Sequence, residues 1–176
     1  MAASSLDAFD DEKRAFLGKK DKSRKGSLDS QIKKLVATIN SHLDYYTTSS
    51  CSGRILLLQM PKNYKRHQVK WVLAAHRKVG SREITDALNK GGENDVWLRQ
   101  ENAILHVACR NLSAASLLIK AFRSFCFKRS GLITFDRKVV AELSSTDFVS
   151  VLVKKDGTIL ISPQHMEALV KEMNSK

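Results

Sequence analysis

The stretch FVSVLVKKDGTILI, residues 148–161, decides the fold. Phe148–Val153 and Thr158–Ile161 read as short strands rich in β-branched residues. Asp156-Gly157 between them suits a two-residue hairpin turn, whose central positions need the positive φ that Gly and Asp tolerate. A hairpin makes its two strands antiparallel neighbours.

Downstream, Ser162-Pro163 opens a helix, with Pro at the first helical position, where a missing N–H costs nothing. Its apolar stripe is Met166, Leu169, Val170 and Met173. Upstream, Leu132–Phe135 and Val139–Leu143 are further strands. Ser113 caps a helix with Leu117, Leu118, Ala121, Phe122 and Phe125 on one face. Val96–Arg99 and Ile104–Arg110 pair as a hairpin around Glu101-Asn102. Ser81 caps a short helix to Lys90, closed by Gly91-Gly92. Lys70–His76 and Arg54–Met60 read as buried strands, separated by Pro61 and a basic turn at Tyr64–His67. Tyr45–Ser49 is a shorter strand. An amphipathic helix carries Ile32, Leu35, Val36, Ile39 and Leu43, with Ser27 or Asp29 as its cap.

The order is ααβββα, ββα, then ββββα. Hairpin-paired strands, irregularly separated by helices, predict an α+β fold. Its sheet is mixed or largely antiparallel with flanking helices, not doubly wound and parallel. Arg54–Lys90 and Val96–Phe125 both read strand, strand, helix, which leaves room for a distant duplication. Residues 1–26 read as a basic N-terminal arm or lid, and 27–176 as a single α+β domain.

A chain of 176 residues, 43% of them hydrophobic, can bury a core without staples. Thirty Lys and Arg against 18 Asp and Glu give a net charge of +12, which favours nucleic acid or another anionic surface as partner. Cys51, Cys109 and Cys126 are too widely spaced for a disulfide framework or a zinc ribbon. No secretory h-region is present, and no apolar run reaches the ~18 residues that span a bilayer. The expectation is a cytoplasmic protein with no membrane association and no metal.

Residues 45–82 contain no Asp or Glu but eight Lys or Arg and two His. Within them, Thr47-Thr48-Ser49-Ser50-Cys51-Ser52-Gly53-Arg54 offers hydroxyl and guanidinium donors to an anion, and Gly53 allows a close backbone approach. A solvated basic face beside a Thr/Ser-rich strand end has the same composition. Trp71 or Tyr64 beside Lys65, Arg66 and Lys70 suits stacking on an unpaired base with phosphate contacts, although Trp71 also fits a core. Alternation groups Trp71, Leu73 and Ala75 on one strand face and Val72, Ala74 and His76 on the other. Ile104, His106 and Ala108 likewise share a face. A strand-end His suits a general base or a core hydrogen bond. No GxGxxG follows a strand, so a standard dinucleotide loop is unsupported. Cys51 is either a structural thiol or a nucleophile activated by Arg54. Two classes therefore stand on the residues alone: a non-catalytic basic RNA-binding module, and a Cys- or metal-dependent enzyme.

Several runs, taken in order and spacing, resemble the tRNA wybutosine-synthesizing protein 3 family. They are Asp21 to Asp29 (DKSRKGSLD), Thr47 to Ile55 (TTSSCSGRI), Trp71 to His76, Leu105 to Arg110 (LHVACR), and Ser130-Gly131. The resemblance implies methyl transfer from S-adenosyl-L-methionine to N4 of the wyosine-type base at position 37 of phenylalanine tRNA, reached through the anticodon loop. It also implies a fold unlike the Rossmann-type methyltransferases. On this reading Ser49, Ser50, Ser52, Gly53, Arg54, Trp71 and His106 contact cofactor or substrate. Asp21 and His76 are the candidates for base or ribose contact. Lys22, Arg24, Lys25, Lys65 and Arg66 hold the tRNA. Residues 27–176 are then the catalytic domain, and Cys51 need not act as a nucleophile.

Overall fold

The structure is a computed structural model and describes residues 5–19, 28–62, 65–90 and 92–175. In chain order, α1 spans Ser5–Leu17, a 3₁₀ turn Ser30–Ile32, and α2 Lys33–Ser41. Strands β1 (Tyr45–Cys51) and β2 (Arg54–Met60) follow. A second 3₁₀ turn, Arg66–Gln68, precedes β3 (Lys70–Ala75) and α3 (Ser81–Lys90). Then come β4 (Asp95–Glu101), β5 (Ile104–Cys109) and α4 (Leu112–Arg123). The remaining elements are β6 (Gly131–Thr134), β7 (Val139–Ser144), β8 (Val149–Lys155), β9 (Thr158–Ile159) and α5 (Pro163–Ser175).

The chain divides into two compact units, one within Met1–Ser52 and Ala103–Thr146, the other within Gly53–Asn102 and Asp147–Lys176. The first holds a four-stranded sheet in the order β1-β5-β7-β6, the second a five-stranded sheet in the order β3-β2-β4-β8-β9. Every ladder described is antiparallel, so the α+β expectation holds. Asp156 and Gly157 both take positive φ, 45° and 83°, and turn β8 into β9.

The expected hairpin around Glu101-Asn102 does not form. β4 pairs with β2 and β8, while β5 pairs with β1 and β7 in the other unit's sheet. Each strand takes a central place, where both of its edges are hydrogen-bonded; a mutual hairpin would compete with those ladders. The suggested duplication goes with it.

In the first unit, α2 and α4 cover one sheet face. Ile32, Val36, Ile39, Ala114, Ala115 and Leu118 pack there against Leu105, Val107, Cys109, Ala141 and Leu143. Burial raises the Cys109 thiol to about 11, so it stays protonated and inert at neutral pH. Alternation sends Ala108 to the opposite face, where Tyr46 is fully buried beneath Phe9 of α1, with Phe16 packed alongside. Arg110 lies over the Phe9 ring and pairs with Asp10 and Asp44 at 2.6 and 2.7 Å. Lys138 reaches Glu12 at 2.6 Å. Burial depresses the Lys138 ammonium, but Glu12 and Tyr46 beside it raise it, and the net shift is upward. α1 is thus fastened by aromatic burial and by ion pairs through Asp10 and Glu12.

In the second unit, α3 and α5 pack on one sheet face. Ile84, Leu88, Met166, Val170 and Met173 meet Ile55, Leu57, Val96, Leu98 and Val153. The Ser162 hydroxyl accepts from His165 N at 3.2 Å and Pro163 takes the first helical position, as the sequence indicates. β3 differs from the expected buried strand. It is an edge strand with one extra residue, Val72, between the pairs Leu73–Leu57 and Trp71–Leu58. That bulge lets Val72 and Leu73 both face the core and leaves Trp71 48% exposed.

Three local expectations also change. Asn111, not Ser113, caps α4, accepting from Ala114 N. The buried face of α4 is Ala114, Ala115 and Leu118; Leu117 lies one position off it, and Phe125 falls beyond the helix. Leu43 is exposed because α2 stops at Ser41.

Candidate functional site

In the first unit a bulge sets out the candidate residues. Thr47 pairs with Val107 and Ser49 with His106, so Thr48 is an extra residue on β1. Simple alternation would put Ser49 on the face opposite Tyr46. The inserted residue returns Ser49 to the face of Tyr46, Ala108 and His106. Asn40 of α2 fixes the bulge, its Oδ1 accepting from Thr47 N at 2.7 Å and Thr47 Oγ1 at 3.0 Å. Thr48 Oγ1 donates to the His106 carbonyl at 3.2 Å. Asn40→Ala leaves the buried Thr47 N–H without this acceptor and should cost about 1–3 kcal/mol by urea denaturation. A loss below about 0.5 kcal/mol would mean that the bulge holds without Asn40.

The bulge brings three side chains from neighbouring strands into one row. Ser49 Oγ and His106 Nδ1 are 3.0 Å apart, and His106 Nε2 and Glu142 Oε2 are 3.1 Å apart. Glu142 faces His106 directly in the β5–β7 register. Ser49 is exposed, and His106 and Glu142 are partly so.

Asp29 is buried, and its Oδ2 accepts from Ser52 N at 3.1 Å and Ser52 Oγ at 3.0 Å. The expected capping role is not realised: Asp29 precedes the 3₁₀ turn without a side-chain cap bond. Its carboxylate instead ties the end of the DKSRKGSLD run to the SSCSGR run, two stretches separated by 23 residues at this contact.

The second unit has its own candidate residues, Gly53, Arg54, Trp71 and His76. Gly53 has φ 92°, a left-handed value that a side chain would strain. Arg54 Nε donates to Glu101 Oε2 at 2.6 Å across the β2–β4 pair. Its guanidinium also lies 4.5 Å from the centre of the exposed Trp71 ring. Since Nε holds the carboxylate, the two terminal nitrogens still form a fork suited to a second anion. His76 follows the end of β3 and is partly buried. The acid-free run is less bare than its sequence indicates, because Arg54, Lys62 and Arg77 meet Glu101, Asp156 and Glu83 from outside it.

Of the residues singled out from sequence, Ser49 and His106 touch one another, as do Arg54 and Trp71. Ser50 lies on β1 and Lys65 is exposed. Asp21, Lys22, Arg24, Lys25, Tyr64 and the Arg66 side chain lie outside the described residues. Glu142, Asn40 and Glu101 were not anticipated as part of the site. Glu142 had a readable signal, a single carboxylate inside the apolar strand VVAELS. Among the described residues, no helix is long and apolar enough to cross a membrane.

Residues 7–176 match the family model described as Methyltransferase TYW3. A Pyrococcus abyssi protein named "tRNA(Phe) 7-((3-amino-3-carboxypropyl)-4-demethylwyosine(37)-N(4))-methyltransferase 1" is 36% identical over 154 residues, covering 87% of this chain and 79% of that protein. A Xenopus laevis "tRNA wybutosine-synthesizing protein 3 homolog" is 32% identical over 174 residues, covering 97% of this chain and 69% of its own length. The solved structure of the PH1069 protein from Pyrococcus horikoshii superposes with a TM-score of 0.85 at 31% identity, covering 97% of this chain and 89% of that one.

Proposed function

This chain belongs to the TYW3 methyltransferase family, and on that premise we propose that it methylates phenylalanine tRNA in wybutosine biosynthesis. The methyl goes from S-adenosyl-L-methionine to N4 of the 7-aminocarboxypropyl-demethylwyosine base at position 37, the reaction that the archaeal relatives are named for. The observation that carries this reading is the family match across residues 7–176, with archaeal relatives named for this methyl transfer and vertebrate ones for wybutosine synthesis. A tRNA substrate suits the +12 net charge and a cytoplasmic location.

Groups within each unit suit parts of the cofactor. S-adenosyl-L-methionine brings a sulfonium methyl, a carboxylate and a planar base. The terminal nitrogens of Arg54 suit a carboxylate, either the cofactor's or that of the substrate's aminocarboxypropyl arm. Trp71 offers a flat exposed ring. Gly53 gives close backbone approach in the same unit. Ser49, Ser50, Ser52 and His106 are the proposed polar contacts of the first unit, with the Ser52 hydroxyl oriented by Asp29. His76 and Asp21 remain the proposed base or ribose contacts. Lys22, Arg24, Lys25, Lys65 and Arg66 are the proposed phosphate contacts. In this reading residues 27–176 act as one catalytic domain, Lys22, Arg24 and Lys25 supply the basic arm, and α1 belongs to the fold of the first unit.

N-methylation is an in-line displacement at carbon, so positioning carries most of the rate and no covalent enzyme intermediate is needed. Cys51→Ala should therefore keep activity within several-fold of the parent; a loss beyond about a hundredfold would restore the nucleophile reading. The direct test incubates the purified protein with methyl-labelled S-adenosyl-L-methionine and phenylalanine tRNA bearing the unmethylated precursor. Label on the base at position 37 is expected. tRNA binding without label would leave a basic RNA-binding module.

A further inference from the structure

We propose that Ser49, His106 and Glu142 form the proton-accepting row of the methyl transfer, an inference that rests on the function proposed above. Each member comes from a different strand, β1, β5 and β7, and cross-strand pairing sets them side by side. The two contacts, 3.0 and 3.1 Å, use both ring nitrogens of His106. An ionised Glu142 can only accept, so Nε2 carries the ring proton. Nδ1 is then the acceptor for the Ser49 hydroxyl. The outer end of the row is Ser49 Oγ, which is exposed.

The surroundings support a working group rather than a structural one. The neighbouring row, Tyr46–Ala108–Val140, is buried, with Phe9 of α1 packed on Tyr46 and Ala108. The Ser49–His106–Glu142 row lies one step along the same face and stays open. A row needed only for packing would gain little from a His–carboxylate hydrogen bond in that position.

Methylation of an N–H nitrogen releases one proton. The new N–C bond forms as the sulfonium S–C bond breaks, and sulfur keeps that electron pair as a neutral thioether. The nitrogen's proton passes to Ser49 Oγ while the Ser49 proton passes to His106 Nδ1. The resulting imidazolium is held by the Glu142 carboxylate. Glu142 is a positioning residue here, fixing the tautomer and stabilising the charged ring.

The test measures kcat and KM for His106→Ala, Glu142→Gln and Ser49→Ala on precursor-containing phenylalanine tRNA, with melting temperature as the folding control. His106→Ala should lose about a hundredfold or more in kcat with KM nearly unchanged, and added imidazole should restore part of it. Glu142→Gln should fall by about tenfold to a hundredfold and Glu142→Asp by less. Variants with kcat within a few-fold of an active parent overturn the row. So does a loss confined to KM, or one that imidazole leaves untouched. A parent that transfers no methyl overturns the functional reading, and the row with it.

Discussion

Arg54→Ala should leave a folded protein that no longer transfers methyl. Two magnitudes decide this. In the fold, Arg54 makes one partly exposed ion pair with Glu101, the two side chains 26% and 32% exposed, and one cation–π contact with Trp71. Such pairs are worth about 0–1 kcal/mol and about 0.5–1 kcal/mol. The melting temperature should therefore move little. In the site, the terminal nitrogens would grip a carboxylate with two charge-assisted bonds, worth about 3 kcal/mol or more together. Every 1.36 kcal/mol is about tenfold in rate, so kcat/KM should fall by about a hundredfold or more. Arg54→Lys keeps the charge and loses the fork, and should fall between the two. A fully active Arg54→Ala protein would remove Arg54 from the site.

Tyr46→Ala should give the largest loss of stability. Tyr46 is fully buried, with its ring centre 5.5 Å from Phe9 and 5.4 Å from Phe16. Lys138 Nζ lies 4.9 Å from the same centre. Removing a buried aromatic typically costs about 3–5 kcal/mol. Here it also unseats α1, whose apolar anchor is this ring. Tyr46→Phe keeps the ring stack and should cost much less. Guanidinium denaturation of the two variants separates the cases. A Tyr46→Ala loss under about 1 kcal/mol would show that the ion pairs of Arg110 and Lys138 hold α1 by themselves.

The parts of the fold that were legible are those set by local chemistry. Met166, Leu169, Val170 and Met173 repeat at helical spacing and face one core, as their pattern requires. Asp156-Gly157 turns a hairpin because its two φ values permit it. The hairpin assigned to Val96–Arg110 failed because pairing is not local. Both strands alternate, and nothing in either shows that its partners lie far away in sequence, β2 and β8 for one, β1 and β7 for the other. The site was legible as residue types and illegible as geometry. Ser49 and His106 were identified separately, but their contact depends on a bulge at Thr48 that hydroxyl-rich sequence does not reveal. Asp29 looked like a cap from its place before a helix, yet tertiary structure gives its carboxylate to Ser52. Arg54 looked unopposed in an acid-free run until the sheet register brought Glu101 across from it.

The most direct measurement is nucleoside mass spectrometry of phenylalanine tRNA from cells in which this protein has been deleted. Accumulation of the wyosine precursor that lacks one methyl at N4, with the later intermediates missing, is the expected result. A fully modified base at position 37 in those cells would contradict the assignment of this chain to the methyl-transfer step.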